Sequence, residues 1–317
     1  EAAPRAWFVV DEGRFAGRYE DDFVQAVWDE MELVAAEQEM LVFRSYGEPL
    51  PPREELQGRG GDLDAGVKLL GYTARPEDWS PGDEVSLVLY WQALHPGAQG
   101  DRVSVRLVDG QGVQRAGLEA PPLGGLYPIW RWPPGIVLPD RYRLALPADL
   151  APGRYRLQVG LGGPAGGDSL ALDYVWIGER EAPPQSEHTV EATFGGAIRL
   201  LGYDLAAMSG GEGLVLTLYW QAVAPVERDY TVFVHLVDAG DQILAQGDGP
   251  PLAGGYPTSY WRPGELVVDP HAIEFDGPMD GYRLLVGLYT LDDGQRLPVT
   301  TGPYSGQDYV PLETFEP

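Results

Sequence analysis

Cysteine is absent from this chain of 317 residues, which excludes disulfide bonds, a thiol nucleophile and thiolate metal ligands. Asparagine is absent as well, so the sequence offers no N-glycosylation acceptor. Lysine occurs once, at Lys68, and the net charge is −26. Phosphate backbones are bound by clustered lysine and arginine, so this charge argues against nucleic acid as a partner. It also argues against docking on anionic lipid by charge alone.

Long apolar runs are missing too. No stretch approaches the roughly 20 residues that a membrane-spanning helix needs, and the N-terminus does not have the pattern of a signal peptide. The sequence begins Glu-Ala-Ala-Pro without Met, which we interpret as a processed product or a piece of a longer protein. Few thermolabile residues and proline-rich loops fit a heat-adapted source, and a GC-rich genome explains the same composition equally well.

What the sequence does contain is a long internal repeat. Five motifs recur in the same order about 130 residues later, a period that indicates a duplicated domain rather than a solenoid. In the first copy they are Leu69–Tyr72, Leu89–Ala93, Leu107–Asp109, Tyr127–Pro128 and Tyr155–Leu161. Their counterparts are Leu200–Tyr203, Leu218–Ala222, Leu236–Asp238, Tyr256–Pro257 and Tyr282–Leu288.

The repeated motifs have the period of half-buried strands. Leu87, Leu89 and Trp91 alternate with residues of the opposite face, and the second copy repeats the pattern up to Trp220. Glycine and proline, at 42 and 29 residues, supply frequent turns between short strands. Each copy is therefore predicted to be an antiparallel β-sandwich, Ig-like or jelly-roll-like, with Trp91 and Trp220 buried at equivalent sites.

The predicted fold class is mostly β, with two tandem sandwiches behind a small α/β segment. Residues 1–46 have the pattern β-α-β-β, with a helix through Phe23 and Trp28. So short a unit buries too little surface to be stable alone, and we expect it to lean on a neighbour. The other predicted ranges are a linker at 47–65, the first sandwich at 66–178, a linker at 179–192 and the second sandwich at 193–317.

No motif predicts a catalytic centre or a cofactor. The four histidines lack metal-ligand spacing, and neither a nucleophile elbow nor a phosphate-binding loop occurs. With 48 acidic residues, carboxylate pairs carry no information about glycosidase chemistry. Asp109, Asp238 and Asp292 could hold calcium, but Asp and Gly are also the ordinary residues of hairpin turns. We expect ordinary hairpins, no metal and no enzymatic activity in this chain.

The most distinctive shared feature is an aromatic segment, at residues 125–135 in the first copy and 254–264 in the second. Exposed Trp and Tyr rings beside polar groups are suited to binding sugars. Alternatively, the segment covers an open end of the sandwich, in which case its rings are buried. The candidate ligand-binding residues are Tyr127, Trp130, Trp132, Tyr256, Tyr260, Trp261 and Arg262.

Several motifs of the second copy resemble a known module. They are Leu200–Tyr203, Leu218–Ala222, Val232–Asp238, Gly254–Ser259 and Trp261–Glu265. Together they resemble the β-sandwich modules at the C-terminal, extracytoplasmic end of some bacterial multipass glycosyltransferases of the family-39, protein-mannosyltransferase-like type. Residues 5–44 are similar to the short soluble α/β segment that precedes the module there. The first copy departs from the pattern, since Arg106 stands where the second has His235.

The resemblance implies an extracytoplasmic location and a membrane-anchored parent chain whose acidic catalytic residues lie outside this sequence. We therefore expect a non-catalytic accessory or binding region that positions a glycan or a cell-surface protein near a membrane enzyme. The alternative is a secreted structural subunit of a surface layer or filament, which tandem sandwiches, acidity and the lack of cysteine fit equally well.

Overall fold

The computed structural model describes residues 6–46, 49–63, 65–98, 100–163, 166–180, 185–208, 213–276 and 281–312. The chain divides into two compact units, residues 1–180 and 181–317. The predicted fold class is confirmed, since antiparallel sheets form a β-sandwich-like domain in each unit. Within the described ranges, no helix is both long and apolar enough to cross a membrane.

The α/β segment has one helix more than predicted. Its elements are β1 (Trp7–Asp11), α1 (Glu12–Arg18), α2 (Asp21–Glu30), β2 (Met31–Glu37) and β3 (Met40–Ser45), with the antiparallel strand order β1-β3-β2. Helix α1 begins where Asp11 caps it by accepting a hydrogen bond from the Arg14 amide at 2.9 Å. The sequence pattern missed this helix because it is two turns long and buries a single residue, Phe15.

The α/β segment packs against the first sandwich, within the same unit. Val24, Val27 and Trp28 of α2 are buried. The Gln25 side chain makes two hydrogen bonds to the backbone of Val137, donating to its carbonyl at 2.9 Å and accepting from its amide at 2.8 Å. Val137 lies on an edge strand of its sheet, so its backbone groups can bond to a side chain. An amide side chain matched to one such backbone position fixes the register of the helix on the sheet.

The first sandwich contains eight strands in the described ranges: β4 (Gly61–Leu63), β5 (Val67–Arg75), β6 (Glu84–Ala93), β7 (Arg102–Val108), β8 (Gln114–Ala120), β9 (Val137–Ala145), β10 (Gly153–Gly163) and β11 (Gly166–Ile177). One sheet has the order β4-β5-β6-β9 and the other the order β11-β10-β7-β8. The core lies between them, where Trp91, Leu107 and Leu157 are fully buried.

The predicted linker at 47–65 is in large part a wall of this sandwich. Strand β4 lies inside it, and Gln57 exchanges two backbone hydrogen bonds with Tyr72, at 2.8 and 3.0 Å. Apolar residues of the same stretch, including Leu56, pack on Val88 and Tyr90. Val88 and Tyr90 on the outer face of β6 are therefore buried as well, although alternation alone predicted a half-exposed strand. A proline- and glycine-rich composition indicates irregular backbone, but it does not indicate whether that backbone is packed.

The second sandwich contains nine strands in the described ranges: β12 (His188–Phe194), β13 (Ile198–Ala207), β14 (Gly213–Ala222), β15 (Thr231–Val237), β16 (Ile243–Gln246), β17 (Leu266–Glu274), β18 (Arg283–Tyr289), β19 (Val299–Thr301) and β20 (Val310–Leu312). Its sheets have the orders β17-β14-β13-β12-β19 and β16-β15-β18-β20. Strand β12 pairs with β13 from His188 onward, so the predicted linker at 179–192 extends too far into the fold.

The two sandwiches place their repeated tryptophans alike, as predicted. Trp91 is on β6, which pairs with β5 and β9, and Trp220 is on β14, which pairs with β13 and β17. Both side chains are 0% exposed. Their register partners are Leu69 and Leu138 for Trp91, and Leu200 and Val267 for Trp220. A shared register with shared burial identifies these positions as structurally equivalent.

Candidate functional site

The two aromatic segments form the same closed turn. In the first, the Tyr127 hydroxyl donates to the Arg131 carbonyl at 2.8 Å, and the Trp132 indole donates to the Tyr127 carbonyl at 2.9 Å. In the second, Tyr256 and Trp261 make the corresponding bonds at 2.9 and 3.1 Å. Each turn contains a short 3₁₀ helix that follows a proline. The segment is thus a self-bonded structural unit.

Burial corrects the prediction for four of the seven candidate residues. Tyr127, Trp132, Tyr256 and Trp261 are each at most 3% exposed. Their ring faces are covered by protein and are not presented to a sugar; Tyr127, for example, stacks on Trp28 of helix α2 with 5.9 Å between the ring centroids. The polar atoms of the rings are satisfied within the turn, which is what burial of Tyr and Trp requires. This arrangement agrees with the alternative in which the aromatic segment covers the sandwich.

The three other candidates do not form a repeated surface. Trp130 is 65% exposed, and its counterpart in the second turn is Ser259, which is buried. Tyr260 is half-buried and Arg262 is exposed. Arg131, which lies beside Trp130, is ion-paired with Glu12 of helix α1. An aromatic binding surface shared by both copies is therefore not present.

A buried aspartate supports the loop that leads into each aromatic segment. Asp140 accepts a hydrogen bond from the Leu123 amide at 3.0 Å, and Asp269 accepts one from the Leu252 amide at 2.8 Å. Both leucines have a positive φ, 48° and 52°, which L-residues adopt only when the surroundings hold them there. Burial raises the pKa of Asp140 to about 7, although hydrogen bonds from Tyr142 and the backbone lower it.

The acidic turns are ordinary hairpins at Asp109 and Asp238, as predicted. Asp109 Oδ1 accepts from the amides of Gln111 and Val113, at 3.0 and 2.8 Å. Asp238 Oδ1 repeats this with Gly240 and Gln242. The carboxylates thereby stabilise the turn backbone. In the described part of the chain, no three His, Asp or Glu side chains lie together as a group that could hold a metal ion.

The outward face of the β11-β10-β7-β8 sheet carries a concentration of arginine. Val103, Val105 and Leu107 of β7 point into the core, so the residues between them point outward, and β10 follows the same rule. At the outward positions of these four strands we count five arginines and one acidic residue, Glu119. We call this surface the arginine face; its arginines are Arg102, Arg106, Arg115, Arg154 and Arg156.

Two acidic residues lie close to three of these arginines. Glu119 lies 3.8 Å from Arg102 and 3.6 Å from Arg106, and all three side chains are about half exposed or more. Arg115 pairs with Asp109 of the adjacent turn at 2.6 Å. Exposed pairs of this kind are worth little and exchange readily with other partners.

Arg156 differs from its neighbours on the face. Its Nε is buried and has no hydrogen-bond partner among the described residues, and the described residues supply it with no ion pair either. A buried guanidinium donor without an acceptor is costly. A negative group bound beside this half-buried side chain would offset part of that cost.

The corresponding face of the second sandwich is built differently. Phe233 and His235 occupy the outward positions of β15, and both are buried. The Arg296 guanidinium, from the chain between β18 and β19, lies 4.3 Å from the centroid of the Phe233 ring. The second sandwich thus covers with its own chain the surface that the first leaves accessible.

Neither a family model nor a curated protein matches this chain. Two solved structures show weak similarity. The first is E. coli alpha-2-macroglobulin in its native conformation, at 10% identity and a TM-score of 0.24, covering 85% of this chain and 18% of that one. The second is the β-glucuronidase from Ruminococcus gnavus in complex with D-glucaro 1,5-lactone, at 12% identity and a TM-score of 0.17, covering 92% and 44%. This chain spans less than half the length of either.

Proposed function

We propose that this chain is a non-catalytic, extracytoplasmic accessory region of a larger membrane-associated, glycosyltransferase-like protein, and that it positions a glycan for the parent enzyme. The observation that carries the proposal is the arginine face, an accessible polar sheet surface on the first sandwich. With the aromatic segments buried, this face combines hydrogen-bond donors and an aromatic ring on one rigid element. Rigid placement of such groups favours binding because little conformational freedom is lost on association.

Tyr174 and Trp176 both lie outward on β11, but Tyr174 is buried, so the aromatic ring that the face offers to a ligand is that of Trp176. It is directly opposite Arg154 in the register of the sheet. The guanidinium groups of Arg154 and Arg180 lie 5.7 and 5.2 Å from its ring centroid. Cation–π contacts of this kind hold both guanidinium groups beside the indole. Gln158 and Ser104, also outward on the sheet, add neutral hydrogen-bonding groups suited to sugar hydroxyls.

The extracytoplasmic location and the parent enzyme are proposed on the basis of the sequence resemblance. In that setting the membrane-spanning part and the catalytic carboxylates belong to the parent chain, and the sandwiches present substrate to them. The net charge of −26 fits a soluble module that stays apart from anionic membrane surfaces.

A second candidate is a structural subunit of a surface layer or filament. One observation favours it: Trp7 and Val9 are 61% and 56% exposed on the outward side of β1, which has a single neighbour, β3, in the described sheet. An apolar edge strand is suited to pairing with another chain.

A glycan array probed with the full chain tests the first candidate, with Trp176→Ala and Arg156→Ser as site variants and Arg143→Ser as the matched control. Arg143 is an exposed arginine on the other sheet of the same sandwich. We expect glycan binding that both site variants weaken and the control retains. Binding that neither site variant changes would remove the arginine face from the proposal. Concentration-dependent assembly that Trp7→Ser abolishes, without glycan binding, would support the filament subunit instead.

A further inference from the structure

We propose that the arginine face binds an anionic polysaccharide, one whose sugar units carry carboxylate or phosphate groups. This inference rests on the proposed glycan-binding function and names the ligand class of the same site. It starts from an imbalance of charge. The chain has 22 lysine and arginine residues against 48 acidic ones, yet five arginines and a single acidic residue occupy the outward positions of this sheet. A neutral glycan would need no such excess, whereas an anionic one is attracted by it.

The spacing of the arginines suits an extended polymer. Strands β8, β7 and β10 are consecutive in the sheet, so their outward side chains form three rows about 4.8 Å apart. Within a row, outward residues such as Arg154 and Arg156 are separated by about 6.6 Å. A chain with a negative group on each sugar can therefore contact several guanidinium groups at once. Once one contact has formed, each further contact is made within the same complex and strengthens the binding.

The chemistry of the side chain supports the same ligand class. Arginine presents a planar fork of donors that matches the two oxygens of a carboxylate or phosphate. Arg156 of β10 is half-buried, and its Nε has no acceptor among the described residues, so a negative group beside it would be favourable.

Two other anionic partners fit these observations less well. Duplex nucleic acid carries a charge about every 1.7 Å, and a protein with a net charge of −26 repels so dense a polyanion beyond a small positive face. An anionic membrane requires apolar side chains for insertion. The exposed large apolar residues in the described part of the chain are not at the outward positions of this sheet.

The test titrates the full chain with polygalacturonic acid by calorimetry. The matched probe is the same polymer fully methyl-esterified, which keeps the sugar backbone and removes the charge. Phosphomannan forms a separate arm that distinguishes phosphate from carboxylate. We expect binding to at least one anionic polymer and not to the ester, with affinity that falls as salt is added. Arg106→Ser/Arg156→Ser should weaken binding about tenfold or more, while Arg143→Ser leaves it unchanged.

Each other outcome overturns the inference. Equal binding of the ester, or equal loss in the Arg143 control, would show that charge on this face does not select the ligand. No binding to either anionic polymer would reject it as well, and tighter binding of duplex DNA or of vesicles with anionic lipid would assign the face to that partner. Binding of a neutral glycan on the array would leave the proposed function intact while removing this ligand class. Thermal melting of each variant verifies that it is folded.

Discussion

The two sandwiches satisfy the same buried tyrosine in different ways. In the first, the Tyr127 hydroxyl lies 3.1 Å from Glu12 of helix α1. In the second, the Tyr256 hydroxyl lies 2.6 Å from Glu265, a residue of the same turn. The carboxylate that completes the aromatic segment therefore comes from the α/β segment in one copy and from the sandwich itself in the other. At this position the first sandwich relies on a carboxylate of the α/β segment, whereas the second supplies its own.

The outward sheet faces of the two sandwiches also differ. The first sandwich presents Arg106 to solvent, and the second has the buried His235 at the repeated position. Duplication thus kept the core and the aromatic segment while the surfaces diverged. Such divergence is expected, since a core position is constrained by packing and an outward position is free to acquire a binding role.

The largest effect should come from what the copies share. Trp91→Ala and Trp220→Ala should each lower the free energy of unfolding of the affected unit by about 3–5 kcal/mol, because each removes a fully buried indole. Hydrogen exchange resolved by peptide would locate the loss in residues 1–180 or in 181–317. A variant that melts like the original chain would contradict the equivalence of the two sites. The Trp→Phe substitutions, which leave a smaller cavity, should cost less.

The next effect separates the copies. Glu12→Ala should destabilise the docking of the α/β segment by about 2 kcal/mol, since Arg131 and Tyr127 lose a partly buried charged acceptor. Faster hydrogen exchange in helices α1 and α2 would reveal it. Glu265→Ala is the mirror variant and should affect the second sandwich alone. Should Glu12→Ala leave exchange in the helices unchanged, the dependence of the first sandwich on this contact would be refuted.

A further contrast concerns pH in the first sandwich. Burial raises the pKa of Asp140 to about 7. Between about pH 4 and pH 7, Asp140 is therefore protonated in the folded state and ionised in the unfolded state. The first sandwich should therefore lose stability as pH rises through this window, by about 1.4 kcal/mol for each unit of difference in pKa. Asp140→Asn should flatten the profile of melting temperature against pH. A profile that keeps its slope would contradict this assignment.

The second sandwich should respond at higher pH. His271 replaces Tyr142 beside the buried aspartate, and its ring nitrogens lie 2.8 Å from the Gly247 carbonyl and 2.8 Å from Asp269. Burial lowers the pKa of His271, but Asp269, the Gly247 carbonyl and Asp248 together raise it more, so the pKa lies above its ordinary value. The stabilisation is complete below about pH 6.5 and is lost as pH rises through the raised pKa. His271→Tyr should shift the loss towards the acid window of the first sandwich. An unaltered profile of melting temperature against pH would contradict stabilisation by the His271–Asp269 pair.

The smallest effect is expected at Trp130, the most exposed ring of the first aromatic segment. Trp130→Ser introduces the residue of the second copy and should change stability by no more than about 0.5 kcal/mol, because the side chain is 65% exposed. Thermal melting measures this directly. A drop of several degrees would mean that the indole has a packing role, and parallel glycan titration would detect any contribution to binding.

The sequence alone determined the duplication, the β-sandwich class and the burial of Trp91 and Trp220. The duplication follows from motifs that recur in the same order. The sandwich class and the buried tryptophans follow from local periodicity, since a strand with one apolar face must turn that face inward wherever the strand lies. Tertiary structure decided the rest. Whether Tyr127 and Trp261 are covered depends on groups supplied by other elements. The arginine face exists because β10 lies beside β7, which brings Arg156 next to the row of Arg106. Residues so far apart in the chain become neighbours only through sheet order, and strand periodicity carries no information about that order.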